Sequence, residues 1–485
     1  MQPRLLPLGP APGRGTAQGQ DGPGGLGGDG AATAGIGAAG IGAKEGGAKA
    51  ARLSAAFRAG FPVLPGWVVP TAESRPAIRA AAAERRCGRP AAARRSVLSY
   101  PPDPVLAGEL REAAARLGGR VIVRSSSPLE SDPRWSGAFS SVAEVGPDEV
   151  VTAVRSCWAS AFAVDPLARL DACGLPMEAL ELGVLIQPEI RPAAGGVARV
   201  MPPGDRGDLV PAAGRSNRGA VEVMVDGVEG HPGALLSGWA DGASARVSLP
   251  ARACAPSPPG CPGRATADGP LLDLVDGDLV LAVARLAEGV HRLLGDETIE
   301  WAAGDGELWL LQSRPGRGPG RAGPASAHAA PAQAQATMAL GTTGAQGRHL
   351  AAREWMPALS ASVQAHGRHL RGRPAVAGQA AGRLVACRPH ERPPAACRDA
   401  VLLVDRPLPA LAPLLFTARG VIARSGACSS HLTEVARSLS VPMVTGCHPE
   451  TVTGAHPPGG SWLAAINGST GDVALFPGDL ALFPG

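Results

Sequence analysis

The sequence is most informative at Gly426-Ala-Cys-Ser-Ser-His431-Leu-Thr-Glu-Val-Ala-Arg437, which continues to Val441-Pro442. A small Gly/Ser turn precedes an apolar pattern with helical spacing, and Pro442 ends that pattern. Ser430 is a residue type that caps helices, so we expect His431 in the first helical turn, beside unpaired backbone N–H groups. That end of a helix favours negative charge and binds phosphate. A nucleophilic imidazole that must accept a phosphoryl group could use this position.

The basic residues of the chain are almost all arginine. Of 46 Lys plus Arg residues, only Lys44 and Lys49 are lysines. A lysine kept in such a chain is either chance or a place where a compact ammonium does something that a guanidinium cannot. Lys49 lies in the segment Gly47-Ala-Lys-Ala-Ala-Arg-Leu53. Lys44 has no comparable context, and we expect it to be a solvated surface residue.

Two segments around residues 300 and 312 alternate apolar and polar positions. This alternation predicts two strands that are joined by the turn Gly304-Asp-Gly306. Glu300 and Gln312 then point the same way and offer hard oxygen ligands to Mg2+, while Arg314 can reach a phosphate. The alternative is that Glu300 merely pairs with Arg314 on a sheet surface.

These features resemble, in order, the motifs of the phosphoenolpyruvate-utilising, or dikinase, family. The stretch around His431 resembles its phosphohistidine motif, and residues 47–53 resemble the first motif of its nucleotide-binding domain. Residues 121–132 resemble a strand that delivers Arg124 to the phosphates. Trp135-Ser-Gly137-Ala-Phe139 resembles the flexible F-A-G loop that closes over them, and the segments around residues 300 and 312 match D-I-E-W-A and L-Q-A-R-P.

The resemblance implies an α+β / α/β multidomain fold, in which an ATP-grasp nucleotide-binding domain is followed by a small swivelling β/α phosphohistidine domain. It implies ATP and Mg2+ as cofactors, with His431 as the catalytic residue and Glu300 and Gln312 as metal ligands. The alternative for His431 is a histidine that only satisfies the start of a helix. The implied ATP-binding residues are Lys49, Arg124, Gly137, Glu222, Glu300, Gln312 and Arg314.

Composition and resemblance together divide the chain into four parts. Residues 1–43 are rich in Gly and Ala with little apolar periodicity, and we expect a disordered leader. Residues 44–315 are expected to form the ATP-grasp domain of the PEP/pyruvate-binding type. Residues 316–398 are expected to be a Pro/Gly/Ala-rich linker or a short acceptor segment, and residues 399–485 the phosphohistidine swivelling domain.

Composition also excludes several partners. The net charge is only +4, and no Lys/Arg run is interleaved with aromatic residues, so nucleic acid is not indicated. No apolar run approaches the length of a membrane span, so no membrane association is expected. The nine cysteines are scattered without a CxxC motif, and neither a zinc site nor a disulfide framework is implied. A reducing cytoplasm is the simplest setting.

The sequence predicts an ATP-dependent phosphotransferase of the dikinase type, with phosphohistidine as its intermediate. The acceptor is open: a small molecule that is pyruvate-like or antibiotic-like, or a separate acceptor subunit, since no pyruvate barrel follows the phosphohistidine domain. Two blocks depart from the family pattern, at residues 196–203 and around Glu222. The alternative is therefore a degraded, non-catalytic nucleotide-binding protein, or one subunit of a split dikinase.

Overall fold

The structure is a computed structural model that describes residues 4–8, 40–101, 103–201, 220–250, 265–315, 368–388, 395–453 and 462–477. These residues form three β-sheets with helices packed against them, which confirms a multidomain fold of mixed helices and sheets. No helix in these ranges is long and apolar enough to cross a membrane.

The first lobe of the chain contains a five-stranded antiparallel sheet in the order β1-β2-β5-β3-β4. Its strands are β1 (Leu6–Pro7), β2 (Trp67–Val69), β3 (Val121–Ser126), β4 (Ser141–Val145) and β5 (Gly183–Pro188). Its helices are α1 (Ala43–Arg58), α2 (Thr71–Arg86), α3 (Pro90–Leu98), α4 (Pro104–Arg116), α5 (Val150–Ala159) and α6 (Val164–Cys173).

The second lobe contains a six-stranded antiparallel sheet in the order β11-β10-β6-β7-β8-β9. Its strands are β6 (Ala194–Val200), β7 (Val221–Glu229), β8 (Ala243–Leu249), β9 (Thr266–Asp268), β10 (Asp296–Gly304) and β11 (Glu307–Pro315), and its helices are α7 (Gly233–Leu236) and α8 (Gly277–Leu294). Asp276 caps α8, which buries one apolar face against β6, β7 and β10.

Helix α1 joins the two lobes. It contacts β5 of the first sheet and β11 of the second. Its residues Leu53 and Ala56 are fully buried in the same apolar cluster as the inner face of the second sheet. Since apolar burial is the main favourable term in folding, this shared core fixes how the two lobes face each other.

The third unit is a β/α domain whose eight-stranded sheet runs in the order β12-β19-β18-β14-β15-β16-β17-β13. The three central pairs, β14–β15, β15–β16 and β16–β17, are parallel, and all other pairs are antiparallel. The strands are β12 (Arg368–Arg371), β13 (Arg373–Val376), β14 (Gln379–Ala386), β15 (Val401–Val404), β16 (Gly420–Ala423), β17 (Met443–Thr445), β18 (Trp462–Asn467) and β19 (Asp472–Pro477), and the helices are α9 (Ala412–Leu415), α10 (His431–Ser438) and α11 (Glu450–Thr453).

Two described segments contain strands where the sequence pattern did not predict them. Residues 4–8 fall in the predicted disordered leader, yet β1 pairs with β2, and Leu5 and Leu8 are buried. Residues 368–388 fall in the predicted linker, yet they supply three strands of the third sheet. Both segments are short, and their order comes from pairing with strands that are distant in the sequence. Residues 9–39 and 316–367 lie outside the described ranges.

The buried position of Leu8 gives a stability prediction. Leu8 is 2% exposed in the core that the two lobes share. Leu8→Ala should lower the free energy of unfolding by about 2–5 kcal/mol, because it removes buried methyl groups and leaves a cavity. Leu98→Ala, at a position that is 37% exposed, is the matched control and should change it by about 0.5 kcal/mol or less. Urea unfolding followed by tryptophan fluorescence makes the comparison, and equal midpoints for the two variants would show that residues 4–8 do not dock.

Candidate active site

A cavity opens where the two lobes and the third domain meet. Every predicted site residue except Glu222 lines it. Lys49 reaches it from α1, Arg124 from β3, and Gly137 from the loop before β4. Glu300, Gln312 and Arg314 come from the β10–β11 hairpin, and His431 comes from α10 of the third domain.

Lys49 owes its position to a break in α1. Gly47 has φ 82°, and a Cβ there would lie 1.9 Å from the carbonyl oxygen of Ser126, so glycine lets the helix approach β3 closely. The Nζ of Lys49 donates to the carbonyl of Ser125 (2.8 Å) and to Oε1 of Glu130 (2.5 Å). Burial lowers the pKa of Lys49, and the charge of Glu130 opposes that shift. Lys44 is exposed, as predicted.

Glu130 is a cavity residue that the sequence analysis did not select. Its Oε2 accepts from the backbone N–H of Ser127 (2.9 Å), while Oε1 pairs with Lys49. A Ser followed three residues later by Glu is the signature of a capping box, and this spacing was the available signal. Glu130 thus holds the ammonium of Lys49 at the cavity wall.

Arg124 ties the first lobe to the second. Its Nη1 donates to the carbonyl of Leu311 on β11 (2.7 Å), and its Nη2 lies 3.8 Å from Oε2 of Glu300. β3 is a strand, as predicted, and carries this guanidinium to the lobe interface. The side chain is 11% exposed, so its charge faces the cavity rather than bulk water.

The β10–β11 hairpin confirms the predicted turn and register. Gly304 pairs with Glu307, while Asp305 and Gly306 both have positive φ, as a two-residue primed turn requires. Glu300 lies directly opposite Gln312, so their side chains share one face. The predicted alternative was an ion pair between Glu300 and Arg314 on a sheet surface. The ion pair is present, with Nη2 of Arg314 2.5 Å from Oε1 of Glu300, but it is not on the surface, because Glu300 is only 4% exposed.

The neighbouring cations keep Glu300 ionised. Burial alone would raise its pKa, but the charges of Arg314, Arg124 and Lys49 outweigh that effect and lower it. The side-chain oxygen of Gln312, in the amide orientation that satisfies both of its ends, accepts from Nε (2.9 Å) and Nη2 (3.2 Å) of Arg314. The hairpin therefore presents the side-chain oxygens of Glu300 and Gln312 next to the guanidinium of Arg314.

This donor set fits Mg2+. Mg2+ usually takes one or two protein oxygens and completes its octahedron with water and substrate phosphates. Glu300 and Gln312 supply hard oxygens on adjacent strands, both facing the cavity. The described ranges hold no group of three or more His, Cys, Asp or Glu residues suited to an all-protein metal cage.

The structure does not bring Glu222 to the cavity. It lies near the start of β7, opposite Ser248 of β8, and its carbonyl accepts from the N–H of Met201. The cavity instead receives His231, which follows the far end of β7. At about 3.3 Å per residue, the intervening strand separates Glu222 from that end by roughly 20 Å. The expectation that Glu222 contacts ATP is therefore corrected.

His431 enters the cavity at the start of α10. Ser430 caps the helix, as predicted, and its Oγ accepts from the N–H of Thr433 (3.3 Å). The ring packs against the loop of the first lobe. A Cβ on Gly137 would lie 2.7 Å from Cδ2 of His431, and Oγ of Ser136 lies 3.1 Å from Nδ1. Glycine at position 137 is what admits the imidazole.

The cavity holds His431 in its neutral form. Burial lowers the pKa of His431 from 6.5 to about 3, and Arg314, Lys49 and Arg169 act in the same direction, while Glu300 opposes them. A neutral imidazole has a free lone pair on one ring nitrogen, so it is a nucleophile at neutral pH. The site thus combines an uncharged imidazole with a cationic surface.

Arg169 organises the loop that meets His431. It is fully buried on α6, and Asp165, one helical turn earlier, accepts from it twice, at 2.7 Å each. Its Nη1 donates to the carbonyls of Arg134 (2.7 Å) and Ser136 (3.0 Å). Nη2 also reaches the carbonyl of Pro409 in the third domain (3.4 Å). The sequence contains a signal for this pair, an Asp four residues before an Arg. Such pairs are common on exposed helix surfaces, so the spacing alone does not indicate a buried arginine.

A few polar contacts complete the junction of the third domain with the second lobe. Nη1 of Arg406 donates to the carbonyl of Trp239 (2.6 Å). Asp241 accepts from the backbone N–H of Gly426 and lies 3.7 Å from Arg373. These contacts seat the turn that precedes His431.

Comparison with known families matches both parts of this arrangement. Residues 44–238 match the family "Pyruvate phosphate dikinase, AMP/ATP-binding domain", and residues 397–471 match "PEP-utilising enzyme, mobile domain". The chain belongs to the phosphoenolpyruvate-utilising, dikinase-type family. We call residues 368–477 the mobile domain from here on.

A curated relative and a solved structure are also similar in part. The "Prodigiosin synthesizing transferase PigC" of Serratia marcescens is 30% identical over 285 residues, which is 54% of this chain and 30% of that protein. The chain thus spans less than a third of the length of this relative. The holo-form of aconitase X from Thermococcus kodakaraensis matches 23% of this chain and 99% of its own, at 16% identity and a TM-score of 0.18, which is too low to indicate a shared overall fold.

The close approach at Gly137 predicts a specific effect of adding one methyl group. Gly137→Ala should push the imidazole away from the loop and loosen the mobile domain, so that diethyl pyrocarbonate modifies His431 several-fold faster. Gly119→Ala is the matched control, because Gly119 also has positive φ but no atom within 4 Å of its added Cβ. Peptide mass spectrometry measures both rates. The same rate in both variants would mean that His431 does not pack on Gly137 in solution.

The enclosure of Lys49 predicts that arginine cannot replace it. Lys49→Arg should weaken ATP binding about tenfold or more, the effect of losing a hydrogen bond to a charged group, because a planar guanidinium does not fit between Ser125 and Glu130. Lys44→Arg, on the exposed part of the same helix, should leave the affinity unchanged. Isothermal titration with ATP and Mg2+ tests both, and equal affinities would place Lys49 outside the nucleotide site.

Proposed function

We propose that the chain is an ATP-dependent phosphotransferase of the dikinase type that forms phosphohistidine at His431. The observation that carries this proposal is the position of the imidazole. His431 belongs to the mobile domain, yet it lines the same cavity as Lys49, Arg124 and Arg314 of the nucleotide-binding lobes. A nucleophile and a set of phosphate-binding cations thus meet at the domain junction.

The charges of the cavity suit a polyphosphate. Lys49, Arg124 and Arg314 are all largely buried, with Glu130 and Glu300 between them. Arginine and lysine bind phosphate oxygens strongly when water is excluded. Phosphoryl transfer requires little covalent help from the protein beyond positioning and charge neutralisation, and this cavity supplies both.

In this proposal the lone pair of His431 attacks a phosphorus atom of ATP in line with the leaving oxygen. A nitrogen–phosphorus bond forms, the phosphorus–oxygen bond breaks, and the electron pair leaves with that oxygen. Arg314 and Arg124 stabilise the charge that develops on the phosphate oxygens. Glu300 and Gln312 would hold Mg2+, which neutralises phosphate charge when bound.

We further propose that the two lobes are those of an ATP-grasp domain and that the mobile domain swivels. Some of the contacts at the junction are polar, which supports movement. Arg406 to the carbonyl of Trp239, Asp241 to the N–H of Gly426, and Arg169 to the carbonyl of Pro409 can each be replaced by water. After transfer, the mobile domain would carry the phosphoryl group to an acceptor.

The acceptor we propose is a small molecule, pyruvate-like or antibiotic-like, or a group on a separate subunit. PigC is named as a transferase of prodigiosin synthesis, which supports a small molecule. The competing function is a non-catalytic nucleotide-binding protein. The position of Glu222 away from the cavity favours that alternative, since one expected ATP contact is missing.

Labelling of the protein from ATP separates the two functions. His431→Ala should abolish acid-labile incorporation of phosphate from radiolabelled ATP, because it removes the nucleophile, and should leave ATP affinity within about twofold. His448→Ala, an exposed histidine of the same domain, is the matched control and should label like the wild type. Wild-type labelling in His431→Ala would remove His431 from the reaction. ATP binding with no label in any variant would support the non-catalytic alternative.

A further inference from the structure

The hydroxyl of Ser136 is the protein group that contacts the ring nitrogen of His431. Its Oγ lies 3.1 Å from Nδ1, and Ser136 is 5% exposed. Within the described residues, Nε2 has no protein hydrogen-bond partner. The two nitrogens of the nucleophilic ring are therefore in different surroundings, one against the loop and one toward the cavity.

This difference matters because a neutral imidazole carries one proton. The nitrogen that holds the proton cannot attack, and the hydrogen bond made by one nitrogen decides which tautomer is present. If Oγ accepts from Nδ1–H, the lone pair lies on Nε2. The opposite tautomer would leave the cavity-facing nitrogen protonated and unreactive.

The backbone of Ser136 is held in place by its neighbours. Its carbonyl accepts from the buried guanidinium of Arg169 (3.0 Å), which Asp165 fixes through two hydrogen bonds. The neighbouring Trp135 is 1% exposed and stacks on Phe139. Ser136 also stands where the resembling F-A-G loop motif has alanine, so the hydroxyl is an addition to that motif.

We propose that Ser136 is a positioning residue that accepts a hydrogen bond from Nδ1–H of His431 and so directs Nε2 at the phosphate. The inference rests on the proposed phosphohistidine function. The Nε2 lone pair forms the bond to phosphorus, the phosphorus–oxygen bond breaks toward the leaving oxygen, and the proton stays on Nδ1. The ring gains positive charge as this happens, so its bond to Oγ strengthens in the transition state.

Two measurements on the full chain test this role. Ser136→Ala should slow labelling of His431 by about 10- to 100-fold, the effect of one hydrogen bond to a charged group, with ATP affinity unchanged. Ser140→Ala, at an exposed position four residues along the same loop, should label at the wild-type rate.

The second measurement reads the tautomer directly, without phosphoryl transfer. Nitrogen-15 NMR of histidine-labelled protein, with the His431 signals assigned from a His431→Gln variant, should show Nδ1–H in the wild type. Ser136→Ala should shift the ring toward Nε2–H, the form that free imidazole side chains prefer in water. A purely structural role for Ser136 would not move this tautomer ratio.

The outcomes separate the role of Ser136 from the proposed formation of phosphohistidine. Normal labelling of wild type and Ser136→Ala alike, or an Nε2–H tautomer in the wild type, would overturn the role of Ser136 while phosphohistidine formation stands. Absence of label in the wild type would reject the proposed function. In that case the NMR result still decides whether Ser136 sets the tautomer.

Discussion

The site depends on three cations that are held largely out of water. Lys49, Arg124 and Arg314 line the cavity, with the buried carboxylates of Glu130 and Glu300 between them and the partly exposed Glu189 also at its wall. Removing a charge from water is costly unless a partner compensates for it. The two buried carboxylates compensate in part and hold the cations at the cavity wall. A bound polyphosphate would bring further negative charge to these cations, which suits the cavity to ATP.

The same electrostatics link the mobile domain to the site. The cationic surroundings and burial keep the pKa of His431 near 3 in the docked arrangement, against 6.5 for an ordinary histidine. Docking therefore favours the neutral ring. As the pH falls through 6.5, a histidine outside the cavity takes up a proton and the docked one does not, so the docked arrangement becomes less stable. Arg314, Lys49 and Arg169 strengthen this coupling, and Glu300 weakens it.

The sequence predicted the features that depend on local chemistry. The capped helix at His431 and the hairpin that aligns Glu300 with Gln312 follow from spacing and residue type, and Lys44 is exposed as expected. Features that depend on distant pairing were not predictable in this way. The strand at residues 6–7 forms against β2, and the carbonyls that Arg169 contacts come from two domains. Glu222 was misplaced because a single matched residue does not reveal which end of a strand meets the cavity.

Single-turnover transfer from ATP tests the central claim most directly. ATP labelled in both its β- and γ-phosphates is mixed with the protein and Mg2+, the reaction is quenched in alkali to preserve phosphohistidine, and the labelled peptide is identified. The cavity geometry predicts label on the peptide that contains His431, appearing as fast as ATP is consumed. Label on another residue, or ATP bound at this cavity with no phosphate reaching His431, would contradict it.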